Sequence, residues 1–500
     1  MTHSMSTATL LDALADKTVL GTPPATVSGV SYDSRKVAPG DCFVAVAGFK
    51  QDGRRFIPDA VARGAGLVVL EGADPLASSA TARVLVPSAR EALARLADAY
   101  WGHPSRALTL VGITGTNGKT TTSFLVDALL RGAGHRTGLI GTIQYRVGDQ
   151  AVEASQTTPE ALELQALLAR MRDSGVTAAA MEVSSHALAL ARVTGTEYDV
   201  AVFTNLTQDH LDFHGTLAEY GRVKRRLFEI VAAGGKTRRA AVINADDPAG
   251  PGMVAGLPLR VIRYALQGAA ELRPRRYTSA LDGIRLELDT PAGPLALASP
   301  LVGEHNVMNL LAAVGVGVAL DIPAATIATT LGAVSAVPGR FERVEAGQPF
   351  LVVVDYAHTP DALERVLTTA RRLVRPGSRL GVVFGCGGDR DRGKRPIMGE
   401  IAARLADRVW VTSDNPRTER PEAIVDEVLV GVARVPGGAE RRVAEPDRRA
   451  AIGDALRWAR AGDVMVIAGK GHETYQVVGH EVLPFDDRDV ARRFLAERAP

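Results

Sequence analysis

The chain has 500 residues, 46% hydrophobic and 23% charged, with a formal net charge of +2. That length is too great for one ordinary core, so two to four domains are expected. The near balance of charge gives no general attraction to nucleic acid or to a membrane surface. Cys42 and Cys386 are the only cysteines and stand far apart, which speaks against a disulfide framework or a cysteine zinc cluster and fits a reducing compartment. No basic stretch followed by an apolar core opens the chain, and the apolar run 310–320 is about half a membrane span. A cytoplasmic protein without membrane insertion is expected.

Abundant Ala and Gly with few aromatics suits helices packed on sheets. In chain order, the apolar pattern predicts a strand at 42–47, a short helix at 56–63, a strand at 67–70 and a helix at 91–101 that stops at Gly102-His103-Pro104. The first domain is therefore expected to span 1–103. A strand at 108–113 opens the next and runs through a Gly-rich turn into a helix ending near Arg131. Strands at 178–183, 200–205 and 240–244 follow, with connections long enough for crossover helices, so this sheet is expected to be parallel and covered on both faces. Short segments at 285–288 and 295–297 suggest a small antiparallel addition, and 309–320 reads as a buried helix. Val337-Pro338-Gly339 closes a second domain, 104–337. In the third, 338–500, strands at 350–354, 380–384, 408–412 and 463–467 alternate with helices at 361–372, 396–406, 421–433 and 447–461. The fold class is α/β, and ligands are expected at the strand ends.

Gly115-Thr116-Asn117-Gly118-Lys119-Thr120-Thr121 is the strongest local signal. Glycines let successive N–H groups curl toward phosphate oxygens, and the following helix adds its positive end. Lys119 supplies a mobile charge for the outer phosphates, and Thr120 or Thr121 a hydroxyl for magnesium. As a Walker loop the pattern is one residue short, because position 113 is Ile113 rather than Gly. Glu182 closes an apolar strand, where a carboxylate needs a partner such as a magnesium ion or a salt bridge. His210 and His214 are four apart, so a zinc pair on one helical turn has to be weighed; no Cys and no H-E-x-x-H accompanies them. Lys224, in a basic helix, reads by itself as a solvated charge.

The compact Gly115–Thr121 loop resembles that of the Mur ligase superfamily, which includes folylpolyglutamate synthases. These ligases activate a carboxylate as an acyl phosphate with ATP and let an amine attack it. The resemblance runs from about residue 28 to about 490, with separated motifs in order. It implies three domains: an N-terminal α/β uridine-binding domain, a central parallel-sheet P-loop ATPase domain and a C-terminal Rossmann-like domain. It also implies ATP as co-substrate, Mg2+ as cofactor, and a monomer. Lys119, Glu182, His210 and Lys224 match the catalytic set. His210 would lie near the metal, with Thr120, Glu182 and Lys224 as metal-binding positions. Lys224 aligns with a lysine that several of these ligases carry as a carbamate, which requires a neutral amine. Asn306, Arg340 and Asp355 match positions for the nucleotide base and ribose.

Within the superfamily the motifs most resemble the branch acting on UDP-N-acetylmuramoyl-L-alanyl-D-glutamate. Tyr32-Asp33-Ser34-Arg35 and Gly48-Phe49-Lys50-Gln51-Asp52-Gly53 match its uridine motifs. Thr157, Thr158, Ser184 and Arg192 match positions for the muramoyl-peptide, although Leu190 stands where some relatives carry a polar residue. Arg390, Asp414-Asn415-Pro416-Arg417, Gly469 and Glu473 match positions for the incoming amino acid, and Asp-Asn-Pro-Arg is the signature for meso-diaminopimelate. Lysine-adding relatives lack that arginine.

A folylpolyglutamate synthase would share the loop but not the uridine-type first domain or the Asp414–Arg417 motif. A phosphate-loop switch or motor would need an apolar strand ending in Asp, which 350–355 imitates weakly. A nucleotide-binding module without catalysis would have no need of Glu182, His210 and Lys224 together.

Overall fold

A computed structural model describes residues 4–48, 51–72, 81–291 and 293–497. Phe49 and Lys50 of the second uridine-type motif lie outside them. The chain divides into two compact units: Met1–Pro274 with Leu288–Leu295 and Met308–Thr330, and Arg275–Glu287 with Ala296–Val307 and Leu331–Pro500.

Among the described residues the first unit holds two large sheets and a two-stranded pair, Met5–Ser6 with Thr26–Val27. One has five strands in the order Thr18–Leu20, Ala82–Val86, Leu67–Glu71, Cys42–Ala45, Val30–Ser31, all parallel except the first. The other has eight, in the order Gln150–Glu153, Gln144–Val147, Thr137–Ile140, Ala178–Glu182, Thr109–Thr114, Val200–Phe203, Ala240–Asn244, Arg260–Tyr264. Its last six are parallel, and the first two form an antiparallel hairpin at one edge. Ala178–Glu182, Val200–Phe203 and Ala240–Asn244 are buried at every residue, which is why they read as unbroken apolar runs rather than alternating ones.

Thr109–Thr114 sits between Ala178–Glu182 and Val200–Phe203. The chain fills one side of that strand and then crosses to the other, so the order reverses there. A crevice opens at such a point beyond the carboxyl ends of the strands. Helix Glu304–Ala319 has a central stretch, 310–319, whose long side chains are all buried. Gly315 lets it approach Val242, and Gly317 lets it approach Ile327 and Leu129.

The main sheet of the second unit has six strands in the order Glu342–Arg343, Leu351–Asp355, Val464–Ala468, Leu380–Cys386, Arg408–Ser413, Arg442–Ala444, parallel except for the first. Helices Pro360–Leu373, Lys394–Leu405, Pro421–Val432 and Arg448–Trp458 alternate with them. Pro360 and Pro421 stand in first turns, where a missing N–H costs nothing. The expected elements are present with ends displaced by up to five residues; the addition near 285–297 is three strands, Pro274–Ala280, Gly283–Thr290 and Gly293–Ser299.

One ion pair fastens the strand ends of this unit. Arg448 and Asp487 are 0% exposed and pair through Nε–Oδ1 (2.8 Å) and Nη2–Oδ2 (2.6 Å). The same guanidinium donates to the carbonyls of Ser413 (3.2 Å) and Ala468 (3.0 Å), the last residues of two strands. Arg448→Met would leave Asp487 buried and unpaired, and is expected to cost about 3–5 kcal/mol. Urea unfolding of the two proteins measures this, and pairing the change with Asp487→Leu should recover part of the loss.

Candidate active site

The Gly-rich turn follows Thr109–Thr114 directly, and helix Lys119–Gly132 begins within the motif. Gly115 (φ 148°) and Gly118 (φ 83°) adopt conformations that disfavour other residues. A Cβ on Gly115 would lie 1.8 Å from Thr204 Oγ1, and one on Gly118 would lie 2.6 Å from Asn309 Oδ1. The turn is laced to the segment after the next strand. Thr116 N–H donates to Asn205 O (2.8 Å), Asn117 N–H to Asn205 Oδ1 (3.0 Å), and Thr204 Oγ1 to Asn117 O (2.7 Å).

Two lysines converge on this turn. Lys119 Nζ donates to the carbonyls of Gly115 (2.9 Å) and Thr116 (2.8 Å). Lys224, on helix Leu217–Ala233 and 1% exposed, donates to the same Gly115 carbonyl at 2.8 Å. Its Nζ also lies 4.3 Å from the Tyr220 ring centroid. Burial first, and then the Lys119 charge, push the Lys224 amine well below its ordinary pKa, against a smaller opposing pull from Asp209. Lys224 is thus not the solvated charge that its basic helix suggests; its neighbours favour a neutral amine.

Glu182 is fully buried at the end of its strand. It accepts from Thr142 N–H on Oε1 (2.9 Å), and from the Thr120 and Thr142 hydroxyls on Oε2 (both 3.1 Å). Thr142 Oγ1 in turn shares a hydrogen bond with Thr157 Oγ1 (3.1 Å). Thr158 donates to the Glu182 carbonyl (2.9 Å) and accepts from Ser184 N–H (3.1 Å). Arg192 donates to Thr158 O (3.1 Å) and pairs with Glu160 at 2.6 Å. Thr157, Thr158, Ser184 and Arg192, separated in sequence, form one connected patch beside Glu182. Tyr32 reaches this unit's helix Ala161–Asp173 through Glu163 Oε1 (2.9 Å), and burial raises its phenol pKa. Ser34 is buried in a one-turn helix capped by Asp33.

His210 caps helix Leu211–His214 with φ 52°, and its carbonyl accepts from His214 N–H at 3.0 Å. The His210 ring stands 4.8 Å from that of His186, while His214 Nε2 hydrogen bonds Ser185 Oγ at 3.0 Å. Burial lowers all three imidazole pKa values, His186 to about 4. This arrangement does not favour a zinc pair.

In the second unit, Asp355 accepts from the N–H groups of Phe341 (2.7 Å) and Ala357 (2.8 Å), so both carboxylate oxygens organise backbone. Arg340 lies over Tyr356 (4.9 Å), and the Tyr356 ring faces His472 (5.0 Å). Asn306 donates to Val302 O at 2.8 Å.

The loops after three adjacent strands bring the amino-acid candidates together. Lys470, 0% exposed, donates to Asn415 Oδ1 (3.0 Å), Glu473 Oε2 (3.2 Å) and Asp414 Oδ1 (3.5 Å). Asn415 Nδ2 also donates to Glu473 Oε2 (3.0 Å). Arg417 has φ 50° and donates from Nη1 to Gly388 O at 2.8 Å. Pro416 fits only because residue 388 is Gly: a Cβ there would lie 1.8 Å from Pro416 O. Gly469 (φ 119°) adjoins Asp414, whereas Arg390 is exposed and donates to its neighbour's carbonyl, Asp389 O, at 3.3 Å.

Three family models match in order: the Mur ligase family catalytic domain over 26–101, the Mur ligase middle domain over 113–317 and the Mur ligase glutamate ligase domain over 339–471. The chain is 50% identical over 478 residues to a UDP-N-acetylmuramoyl-L-alanyl-D-glutamate--2,6-diaminopimelate ligase of Gloeobacter violaceus, covering 95% of each. It is 48% identical over 469 residues to the ligase of that name from Solibacter usitatus, covering 94% of this chain and 93% of that one. The chain belongs to the Mur ligase family. A solved structure of a ligase of the same name is similar at 35% identity with a TM-score of 0.69, covering 94% of this chain and 95% of that one.

Sequence reasoning gave no role to Thr142, Asn205, Asn309 or Lys470, all of which shape the site of this Mur ligase. Lys470 lies between the matched positions Gly469 and Glu473, and its burial was the missing signal. Thr142 stands in no motif and is revealed only by its contact with Glu182. Gly115→Ala must displace Thr204 from the turn. It is expected to weaken ATP binding at least tenfold, as read by titration calorimetry, without unfolding the sheet behind it.

Proposed function

We propose that this Mur ligase joins meso-diaminopimelate to UDP-N-acetylmuramoyl-L-alanyl-D-glutamate, forming an amide bond at the expense of ATP through an acyl phosphate. The observation that carries this reading is the grouping of Arg417, Asn415, Lys470 and Glu473 at the ends of adjacent strands. Asp414, Glu473 and Lys470 together bear one net negative charge, which suits one ammonium of the substrate. The Arg417 guanidinium beside them suits its distal carboxylate. The names borne by relatives 48% and 50% identical agree with it.

In this reading the Gly115–Thr121 turn cradles the phosphates, and Lys119 exchanges its two carbonyls for phosphate oxygens. Asn306, Arg340 and Asp355 serve the base and ribose. Tyr32, Ser34, Thr157, Thr158, Ser184 and Arg192 hold the UDP precursor. Arg390 contributes to the amino-acid site by moving inward from solvent. Thr120 and Glu182 present oxygens to each other at 3.1 Å, a donor set that fits a magnesium ion. Lys224 would hold a second magnesium ion only as a carbamate: its neutral amine attacks carbon dioxide, an N–C bond forms as one C=O π pair moves to oxygen, and a proton leaves. His210 stands beside them as a neutral imidazole. Bound magnesium supplies charge neutralisation between the carboxylate and phosphate oxygens. A chain acting on a nucleotide-linked precursor is placed in the cytoplasm, where it works as a monomer.

The decisive experiment is phosphate release with the UDP-muramoyl-dipeptide, ATP and magnesium against a panel of amino acids. Release should require both precursor and diaminopimelate, and lysine should be used at least 100-fold less efficiently; Arg417→Ala should lose diaminopimelate use and keep precursor binding. Equal efficiency with lysine, or release with nucleotide alone, rejects the reading.

The carbamate has its own test. Lys224→Ala should lose most activity, and millimolar acetate or formate should restore part of it by returning an anion to the cavity. A bicarbonate-loaded native protein should show the added mass of carbon dioxide on the Lys224 peptide.

A further inference from the structure

Just beyond Glu473 the chain forms a hairpin, Tyr475–Val478 with Glu481–Pro484, turning at Gly479. It is a sheet of its own, unpaired with the six-stranded sheet. Its bonds go instead to the Asp414–Arg417 loop. Gln476 Nε2 donates to Asp414 O (2.7 Å), and Val477 N–H donates to Asn415 Oδ1 (2.9 Å). Arg417 N–H donates to Val477 O (3.1 Å), and Gly479 N–H donates to Arg417 O (2.7 Å). Every residue of the loop except Pro416, which has no N–H to offer, is thereby tied to the hairpin.

We infer that this hairpin is a specificity device for the amino-acid site, and that Gln476 is its positioning residue. The inference rests on the reading of Arg417 and Glu473 as receivers of the distal carboxylate and ammonium of diaminopimelate. Those two groups sit on one carbon of the substrate, so their receivers must be held at a fixed separation. Glu473 lies two residues before the hairpin begins, and Arg417 is bridged to Val478 within it. One short element therefore sets both.

Arg417 needs such a hold. A φ of 50° is unfavourable for a side chain with a Cβ and persists only where surrounding bonds fix it. Both of its backbone groups are fixed by the hairpin, at Val477 and Gly479. Gln476 fixes the carbonyl at the other end of the loop, at Asp414, whose carboxylate is already engaged by Lys470. Without the Gln476 amide, the hairpin keeps its bonds to Asn415 and Arg417 but loses the one to the Asp414 backbone, and the register of Arg417 against Glu473 loosens. Lysine, which carries an ammonium but no distal carboxylate, needs no such register. The hairpin thus acts on discrimination more than on turnover.

Gln476 is half-buried and on an element outside the main sheet, so its substitution leaves the fold in place. Gln476→Met keeps the length and removes the donor; Gln476→Glu keeps the shape and the acceptor and lacks the N–H. Steady-state kinetics of the full chain are measured with ATP, magnesium, the UDP precursor, and either diaminopimelate or lysine. Both variants should raise the KM for diaminopimelate about tenfold, on the order of one lost hydrogen bond, and lower its kcat/KM advantage over lysine in proportion. The KM values for ATP and precursor, and the thermal midpoint, should stay as in the unmutated chain. An unchanged diaminopimelate KM in both variants overturns the inference. So does a rise in all three KM values with a lowered midpoint, which marks a structural role alone. If the unmutated chain joins no diaminopimelate, the reading of the site falls, and the inference with it.

Discussion

Two lysine amines meet on one carbonyl oxygen, that of Gly115. Two ammonium groups in hydrogen-bonding range of one neutral acceptor repel each other, and one of them, Lys224, is removed from water. The conflict is resolved by loss of charge on the buried amine or by arrival of anions. Both outcomes suit a site for polyphosphate. A neutral Lys224 is the form that takes up carbon dioxide, and a charged Lys119 finds a better partner in phosphate than in a backbone carbonyl. The rest of the first unit is arranged around this meeting. Gly115 must be glycine because Thr204 stands against it, and Thr204 and Asn205 fix the turn that offers the carbonyl.

Glu182 brings the opposite charge to the same crevice. Its carboxylate is satisfied by one N–H and two hydroxyls, so its burial is tolerated without a protein cation. That leaves its charge available. The chain of contacts from Thr120 through Glu182 to Thr142, Thr157 and Thr158 joins the Gly115–Thr121 turn to the patch of Thr157, Thr158, Ser184 and Arg192 in one hydrogen-bonded network. The second unit solves the same problem differently. There buried charges meet opposite charges within the protein, Arg448 with Asp487 and Lys470 with Asp414 and Glu473, the latter group carrying one carboxylate in surplus.

Much of this was legible in the sequence because parallel sheets covered on both faces write themselves as apolar runs. Strands such as 178–182 and 464–468 stood out for that reason, and Gly-rich or Asp-Asn-Pro-Arg segments just beyond strand ends marked the ligand side. Local chemistry likewise announced the loop glycines, since turns with positive φ admit little else. The helix ends and short edge strands were less well marked, because their limits are set by capping and pairing rather than by hydrophobicity.

By itself, then, the sequence determined the α/β class, the order of domains, the Gly-rich turn between strand and helix and the residues that follow each strand. These depend on neighbours along the chain. Only the tertiary structure decided that Lys224 is buried rather than solvated, that Thr142 holds Glu182, that the His210 ring faces His186 while His214 bonds Ser185, and that Lys470 sits among Asp414, Asn415 and Glu473. The physical reason is the same in each case. The state of a charged or polar side chain is set by its desolvation and by partners tens of residues away, and those distances exist only once the strands lie side by side.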